Sequence, residues 1–117
     1  MNALSGPGLT VEPNEREAVV VLGVVGDVDA ASAPVLGEGL VAAIDGGRPV
    51  VVADLTQVGY IDSVGLGTLV IGLKRAAERG VALRLVVTNP QIEKILRITG
   101  LLSVFQVYND QQSAVTG

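Results

Sequence analysis

The chain contains no cysteine, no histidine and no tryptophan, and its aromatic residues are Tyr60, Phe105 and Tyr108 alone. Without cysteine there is no disulfide framework, no thiol nucleophile and no thiolate metal site. Without histidine there is no imidazole base, which excludes a Ser-His-Asp triad and a His-ligated zinc centre. Positive charge is also scarce: 8 Lys and Arg stand against 12 Asp and Glu, for a formal net charge of −4. Nucleic acid is therefore not an expected partner, since binding it calls for basic stripes and aromatic stacking platforms. Long apolar runs are missing as well. Ala18–Val25 spans eight residues, against about 20 for a membrane-spanning helix. Met1 to Gly8 has neither the basic start nor the apolar stretch of a secretory leader. The expected location is the cytoplasm, with no membrane association.

What is present is aliphatic. Hydrophobic residues make up 49% of the 117 positions and charged residues 17%, enough apolar surface for one packed domain and too little charge for a disordered one. Residues 1–8, with Gly, Pro and Ser, read as a flexible start to a single domain over 9–117. Leu9 to Glu12 fits a short edge strand closed by a turn at Pro13-Asn14, and such an edge leaves homodimerisation open. Ala18–Val25, Pro49–Asp54 and Ala82–Val87 are nearly continuous β-branched and aliphatic runs, the pattern of strands buried on both faces, and Val104–Tyr108 is a shorter fourth.

Helical patterns separate these runs. Leu36, Leu40, Ala43 and Ile44 line one face of a helix over 34–44, with Pro34 in its first turn and Gly46-Gly47 after it. Gly37 and Gly39 inside it each cost about 1 kcal/mol relative to Ala, so this helix depends on tertiary packing. Over 63–79, Leu66, Leu69, Val70, Leu73 and Ala77 form an apolar stripe, Lys74, Arg75 and Arg79 crowd the end, and Gly80 stops it. Asn89-Pro90 starts a third helix that Gly100 ends, and Asp110–Thr116 suits one more short turn or helix. The implied order is β-β-α-β-α-β-α-β. It predicts an α/β fold whose mixed, mostly parallel sheet of four to five strands is covered on both faces by three to four helices.

Chemistry in such a sheet belongs beyond the carboxyl ends of the strands. Asp27, Asp29, Asp54 and Asp62 all read as lying there. At Tyr60-Ile-Asp-Ser-Val-Gly-Leu-Gly67 two readings stand side by side. Asp62-Ser63 is a helix N-cap, with Gly65 and Gly67 allowing close helix–sheet packing. Alternatively, Ser63 is a phosphorylation site, because a hydroxyl at a helix N-terminus is exposed and the free N–H groups tolerate a phosphate. Asp27, Asp29 and Asp54 also suggest the Mg²⁺-assisted acceptor site of response-regulator receivers, but the Lys such a site needs after its last strand is absent. Nucleotide fingerprints fail: Gly65-Leu-Gly67 lacks the third glycine and no phosphate-binding loop with Gly-Lys-Ser or Gly-Lys-Thr occurs. Ser and Thr hydroxyls have no imidazole or nearby Lys to activate them. The chain reads as a non-enzyme without metal or cofactor.

Three segments in register carry a family resemblance. Asp54-Leu-Thr-Gln-Val-Gly-Tyr-Ile-Asp-Ser-Val-Gly-Leu-Gly67, the upstream Val25-Gly-Asp-Val-Asp29 with Ala31-Ser-Ala-Pro34, and the late Ile98-Thr-Gly-Leu-Leu102 resemble the signature of anti-sigma factor antagonists of the STAS family (sulfate transporter and anti-sigma factor antagonist). The resemblance runs from about Val11 to Val107. It implies a protein that binds an anti-sigma factor serine kinase and so releases the sigma factor for transcription. The kinase would switch it off by phosphorylating Ser63, and a serine phosphatase would restore it. The resemblance also implies that Asp62, Val64 and Gly65 flank the acceptor in the partner-binding surface and that Asp27, Asp29 and Ser32 form the neighbouring loop. Two positions depart from the pattern. Asp27 replaces the commoner Glu, and Val64 stands where many members have Ser or Thr, leaving Ser63 as the only hydroxyl of the Asp62-Ser63-Val64 stretch. Stand-alone members also serve as accessory subunits of lipid-transport ATPases or bind nucleotide, the two alternative expectations.

Overall fold

The computed structural model describes residues 2–117. Six strands form one sheet in the order β1-β2-β3-β4-β5-β6: β1 Leu4–Gly6, β2 Leu9–Arg16, β3 Val19–Val28, β4 Val50–Ile61, β5 Ala82–Val86 and β6 Gln106–Tyr108. The helices are α1 Ala33–Asp45, α2 Ser63–Glu78, α3 Pro90–Ile98 and α4 Gln111–Thr116, with a 3₁₀ turn at Leu101–Ser103. β1 and β2, and β2 and β3, pair antiparallel, while β3 through β6 run parallel. The expected mixed, mostly parallel α/β sheet is present with one strand more than foreseen.

That extra strand lies in the segment read as a flexible start. Leu4, Ser5 and Gly6 pair with Val11, Thr10 and Leu9 through a turn at Pro7-Gly8, where Gly8 takes φ +68°; Met1 lies outside the described residues. Leu4 also packs against the main core. A second difference concerns Pro13-Asn14, which do not turn the chain. β2 continues through them to Arg16, Pro13 pairing with Leu22 and Asn14 with Val21. β1 stops opposite Val11, so from Glu12 onward β2 is the sheet edge, where a residue lacking an N–H is tolerated. Third, β4 runs well past Asp54, to Ile61, and Asp54 marks only the end of pairing with β5.

The helices do not divide evenly between the faces. Leu36, Leu40 and Ile44 of α1, Leu66 and Leu69 of α2, and Ile92 and Leu96 of α3 pack in one cluster with Val20, Leu22, Val51, Ala53, Leu83 and Leu85. The opposite face holds a small cluster of Val19, Val21, Val52 and Val86 beneath Ala114 of α4. The spatial order β3-β4-β5-β6 follows the chain in one direction, so right-handed crossovers put α1, α2 and α3 on the same side. Both faces are covered as expected, but unequally: among the described residues, the six of α4 are all the helix the second face receives. They are tied down by Arg16 Nη2 donating to Gln111 Oε1 (2.9 Å), Gln111 Nε2 donating to Asp54 Oδ2 (2.7 Å) and Arg84 Nη1 donating to the Ala114 carbonyl (2.9 Å).

At the far ends of α1 and α2, Asp45 sits in the last turn of α1, where a carboxylate opposes the helix dipole. Arg75 of α2 grips it through two bonds of 3.0 and 2.6 Å, and Nε of Arg79 adds a third at 2.6 Å. The two guanidinium groups lower the Asp45 pKa from 3.8 to about 2. Because the folded value lies below the unfolded one, the link stabilises the fold above about pH 4 and is lost as the pH falls from 3.8 toward about 2. An acid titration of the wild type against Asp45→Asn, followed by circular dichroism, should show a stability gap at pH 6 that closes over this interval. A gap that persists unchanged to pH 2 would contradict this assignment.

Candidate functional site

β3 and β4 end side by side, with Asp27 opposite Tyr60 and Val28 opposite Ile61. Their two following loops therefore emerge together at the carboxyl edge of the sheet. The Asp62 N–H donates to the Val28 carbonyl at 3.0 Å, so the step from β4 into α2 is pinned to β3. Asp62 is the N-cap of α2: its backbone is extended and its Oδ1 accepts from the Gly65 N–H at 2.9 Å. Its Oδ2 accepts from the Ala30 N–H at 3.2 Å, in the loop between β3 and α1. One carboxylate thus caps a helix and fastens the neighbouring loop to it, a link that local sequence does not reveal because the partners are 32 residues apart.

Ser63 is the first residue of α2 and is exposed. Among the described residues its hydroxyl has no hydrogen-bond partner within the chain. The capping expectation is met by Asp62 alone, which leaves the Ser63 Oγ uncommitted. Val64 beside it is 48% exposed.

Gly65 and Gly67, grouped together from sequence, separate in the structure. A Cβ on Gly65 would come within 2.7 Å of both Ile61 Cγ1 and Val28 Cγ1, whereas one on Gly67 would meet nothing within 4 Å. Only Gly65 seats α2 on the strands, and it is itself buried, with no side chain to offer a partner.

The loop between β3 and α1 presents its residues unevenly. Asp27 is exposed and points its carboxylate along the edge beside Gly59, where an added Cβ would lie 3.2 Å from Asp27 Oδ1. Asp29 is half-buried, its Oδ1 accepting from the N–H groups of Ala31 and Ser32 at 3.0 and 3.1 Å. Ser32 is completely buried, its Oγ 2.8 Å from the Asp27 carbonyl and accepting from the Asp29 N–H at 3.0 Å. Ser32 therefore shapes the loop from within, which corrects its placement on a contact surface. The exposed groups at this edge are Asp27, Ser63 and Val64, joined by Tyr60 at 52% exposure. Sequence reading had not singled out Tyr60 as a surface residue; its place opposite Asp27 depends on β4 extending beyond Asp54.

The receiver-like trio is not assembled. Asp54 faces α4, accepting from Gln111 Nε2 at 2.7 Å and the Thr56 N–H at 3.0 Å, away from the Asp27 and Asp29 loop. No group of three or more His, Cys, Asp and Glu able to hold a metal occurs among the described residues, and among them no helix is long and apolar enough to cross a membrane.

Comparison with known proteins adds three further observations. The family model described as STAS domain matches residues 10–114. The anti-sigma-B factor antagonist of Bacillus subtilis is 29% identical over 107 residues, covering 92% of this chain and 97% of that protein, and its namesake from Listeria monocytogenes is 31% identical over 102 residues, covering 86% and 90%. Among solved structures, an anti-sigma factor antagonist from Mycobacterium paratuberculosis superposes with a TM-score of 0.85 at 28% identity, covering 97% of each chain.

Proposed function

From the premise that the chain belongs to the STAS domain family, we propose that it is an anti-sigma factor antagonist whose unphosphorylated form binds an anti-sigma factor serine kinase and frees the sigma factor. Phosphorylation of Ser63 ends the binding and a serine phosphatase restores it. One observation carries this reading: the Ser63 hydroxyl is exposed and unbonded at the first residue of α2, while both Asp62 oxygens are already committed.

The physical chemistry of the switch follows from that arrangement. A phosphoryl group on Ser63 adds a charge of about −1.5 to −2. The positive end of the α2 dipole and the N–H groups of the first turn accommodate it, so the fold itself is little disturbed. The partner meets a different surface. Where a neutral hydroxyl stood next to Asp62, at the sheet edge that also carries the exposed Asp27, a dianion now lies, and an interface shaped around the hydroxyl must bury or repel it. The catalytic groups belong to the kinase and phosphatase; this chain supplies the substrate hydroxyl and the contact surface.

Incubation of the purified protein with its kinase and ATP, followed by peptide mass spectrometry, is expected to show a single phosphate, on Ser63. Ser63→Ala should take up none. A phosphate on another residue would overturn the assignment of the acceptor.

A further inference from the structure

β4 loses its alternation near its carboxyl end. Its core-facing residues Val51, Ala53 and Leu55 stand two apart, but Val58 and Ile61 follow at intervals of three. β3 meanwhile keeps Val20, Leu22, Val24 and Val28 on an even count toward the same core, so each longer interval is a bulge in β4. The second bulge falls between the pairs Gly26–Val58 and Asp27–Tyr60, where β3 advances one residue and β4 two. Gly59 is the extra residue. It and Tyr60 both lie outside the core and are exposed.

Bulges re-aim the side chains around them, and the side chain opposite this one is Asp27. Hydrogen bonds reach Asp27 at its main chain, from Gly8 and Ser32, and its carboxylate enters no ion pair among the described residues. The direction of the carboxylate is therefore set by the backbone beneath it and the space beside it. That space is at Gly59. A Cβ there would lie 3.2 Å from Asp27 Oδ1, closer than the two can sit without one giving way.

The backbone of Asp27 is held from the other side, by the start of β2. Its N–H donates to the Gly8 carbonyl at 3.3 Å, in the turn that joins β1 to β2. This approach depends on Gly26, whose φ of +122° is a conformation that residues with a Cβ rarely adopt. A Cβ there would overlap the Gly8 carbonyl oxygen and crowd Leu9 Cα at 3.2 Å. Glycine inside a strand weakens it, and neither Gly26 nor Gly59 is buried in return. What the two glycines secure is the course of Asp27, with its main chain against β2 and its carboxylate over β4.

We propose that Gly59 and Gly26 are positioning residues for the Asp27 carboxylate, and that the bulge aims this carboxylate at the anti-sigma partner. A group fixed before the partner arrives need not be ordered on binding, so its aim enters the affinity directly. The turn of the N-terminal hairpin takes part through the Gly8 carbonyl. This assignment rests on the partner reading given above and goes beyond it by naming what holds a contact group in place.

The test titrates the purified kinase that phosphorylates Ser63 calorimetrically against Gly59→Ala, Asp27→Ala and the double variant of the whole chain. Gly59→Ala adds one methyl at an exposed strand position, so its melting temperature should equal or slightly exceed that of the wild type. It is expected to weaken binding about fivefold or more, and Asp27→Ala about tenfold. In the Asp27→Ala background the same methyl should change binding by less than about twofold, because the group it displaces is gone. A role in the fold alone would not vanish with that carboxylate. Equal weakening with and without Asp27 would mean that the methyl meets the partner directly, and the proposal fails. It fails too if Gly59→Ala binds within about twofold of the wild type, or if it unfolds the chain and so makes the bulge a requirement of the fold. Wild-type affinity in Asp27→Ala, with binding lost in Ser63→Asp, would strike the positioning role and keep the serine switch. If the wild type binds no anti-sigma kinase, both fall.

Discussion

Replacing Ser63 with Asp or Glu is expected to reduce affinity for the anti-sigma kinase by about 30-fold or more, corresponding to about 2 kcal/mol, while leaving the fold intact. The reasoning separates the two consequences of a charge at this position. Within the free protein, the added carboxylate stands at the first residue of α2, where the helix dipole favours an anion by about 0.3–1 kcal/mol. That gain opposes the repulsion from Asp62, whose oxygens stay bonded to Gly65 and Ala30. The melting temperature should therefore move by only a few degrees. In the proposed complex, the same carboxylate enters an interface fitted to a hydroxyl at the sheet edge that also carries the exposed Asp27. Desolvating an unpaired charge there costs several times what the dipole returns. Phosphoserine, with about −1.5 to −2 charge, should act more strongly than Asp. Ser63→Ala should bind within about twofold of the wild type. Equal binding by all these forms would remove the switch.

The parts of this design that the sequence makes legible are local. Asp62 caps α2 because an N-cap reads only the next three residues, and the β-branched runs become buried strands because their pattern needs no distant information. The parts that were not legible depend on long-range pairing. Leu4–Gly6 is too short to show a strand pattern and exists because β2 offers it an edge. Pro13-Asn14 look like a turn until β1 is seen to end opposite Val11, leaving the later half of β2 as an edge that tolerates proline. Asp54 was placed at a strand end with Asp27 and Asp29, yet its partner is Gln111, 57 residues away on the other face. Ser32 reads as a surface hydroxyl, and only the folded loop shows it enclosed and bonded to Asp27 and Asp29.

Gly65 and Gly67 make the same point quantitatively, since two glycines one residue apart in one helix should respond to substitution with opposite sign. Gly67→Ala adds a methyl where nothing lies within 4 Å and removes backbone freedom from the unfolded chain, so it should stabilise by about 0.4–1 kcal/mol. Gly65→Val brings a branched side chain against Ile61 Cγ1 and Val28 Cγ1, each only 2.7 Å from the position of the first added carbon, with the Val28 carbonyl at 3.2 Å. Two rigid strand residues cannot yield together, and the start of α2 must lift from the sheet. Overpacking of this kind costs about 1–3 kcal/mol, and the modest gain in helix propensity from Gly to a β-branched Val offsets little of it. At about 4 °C per kcal/mol for a domain of this size, Gly65→Val should lower the melting temperature by roughly 4–12 °C while Gly67→Ala raises it by about 2–4 °C. Lifting α2 also pulls Asp62 from the Ala30 N–H and displaces Ser63, so kinase binding and phosphorylation should fall in Gly65→Val even below its melting temperature. Gly67→Ala should keep both. A Gly65→Val protein as stable and as readily phosphorylated as the wild type would show that close packing beneath α2 does not position the serine.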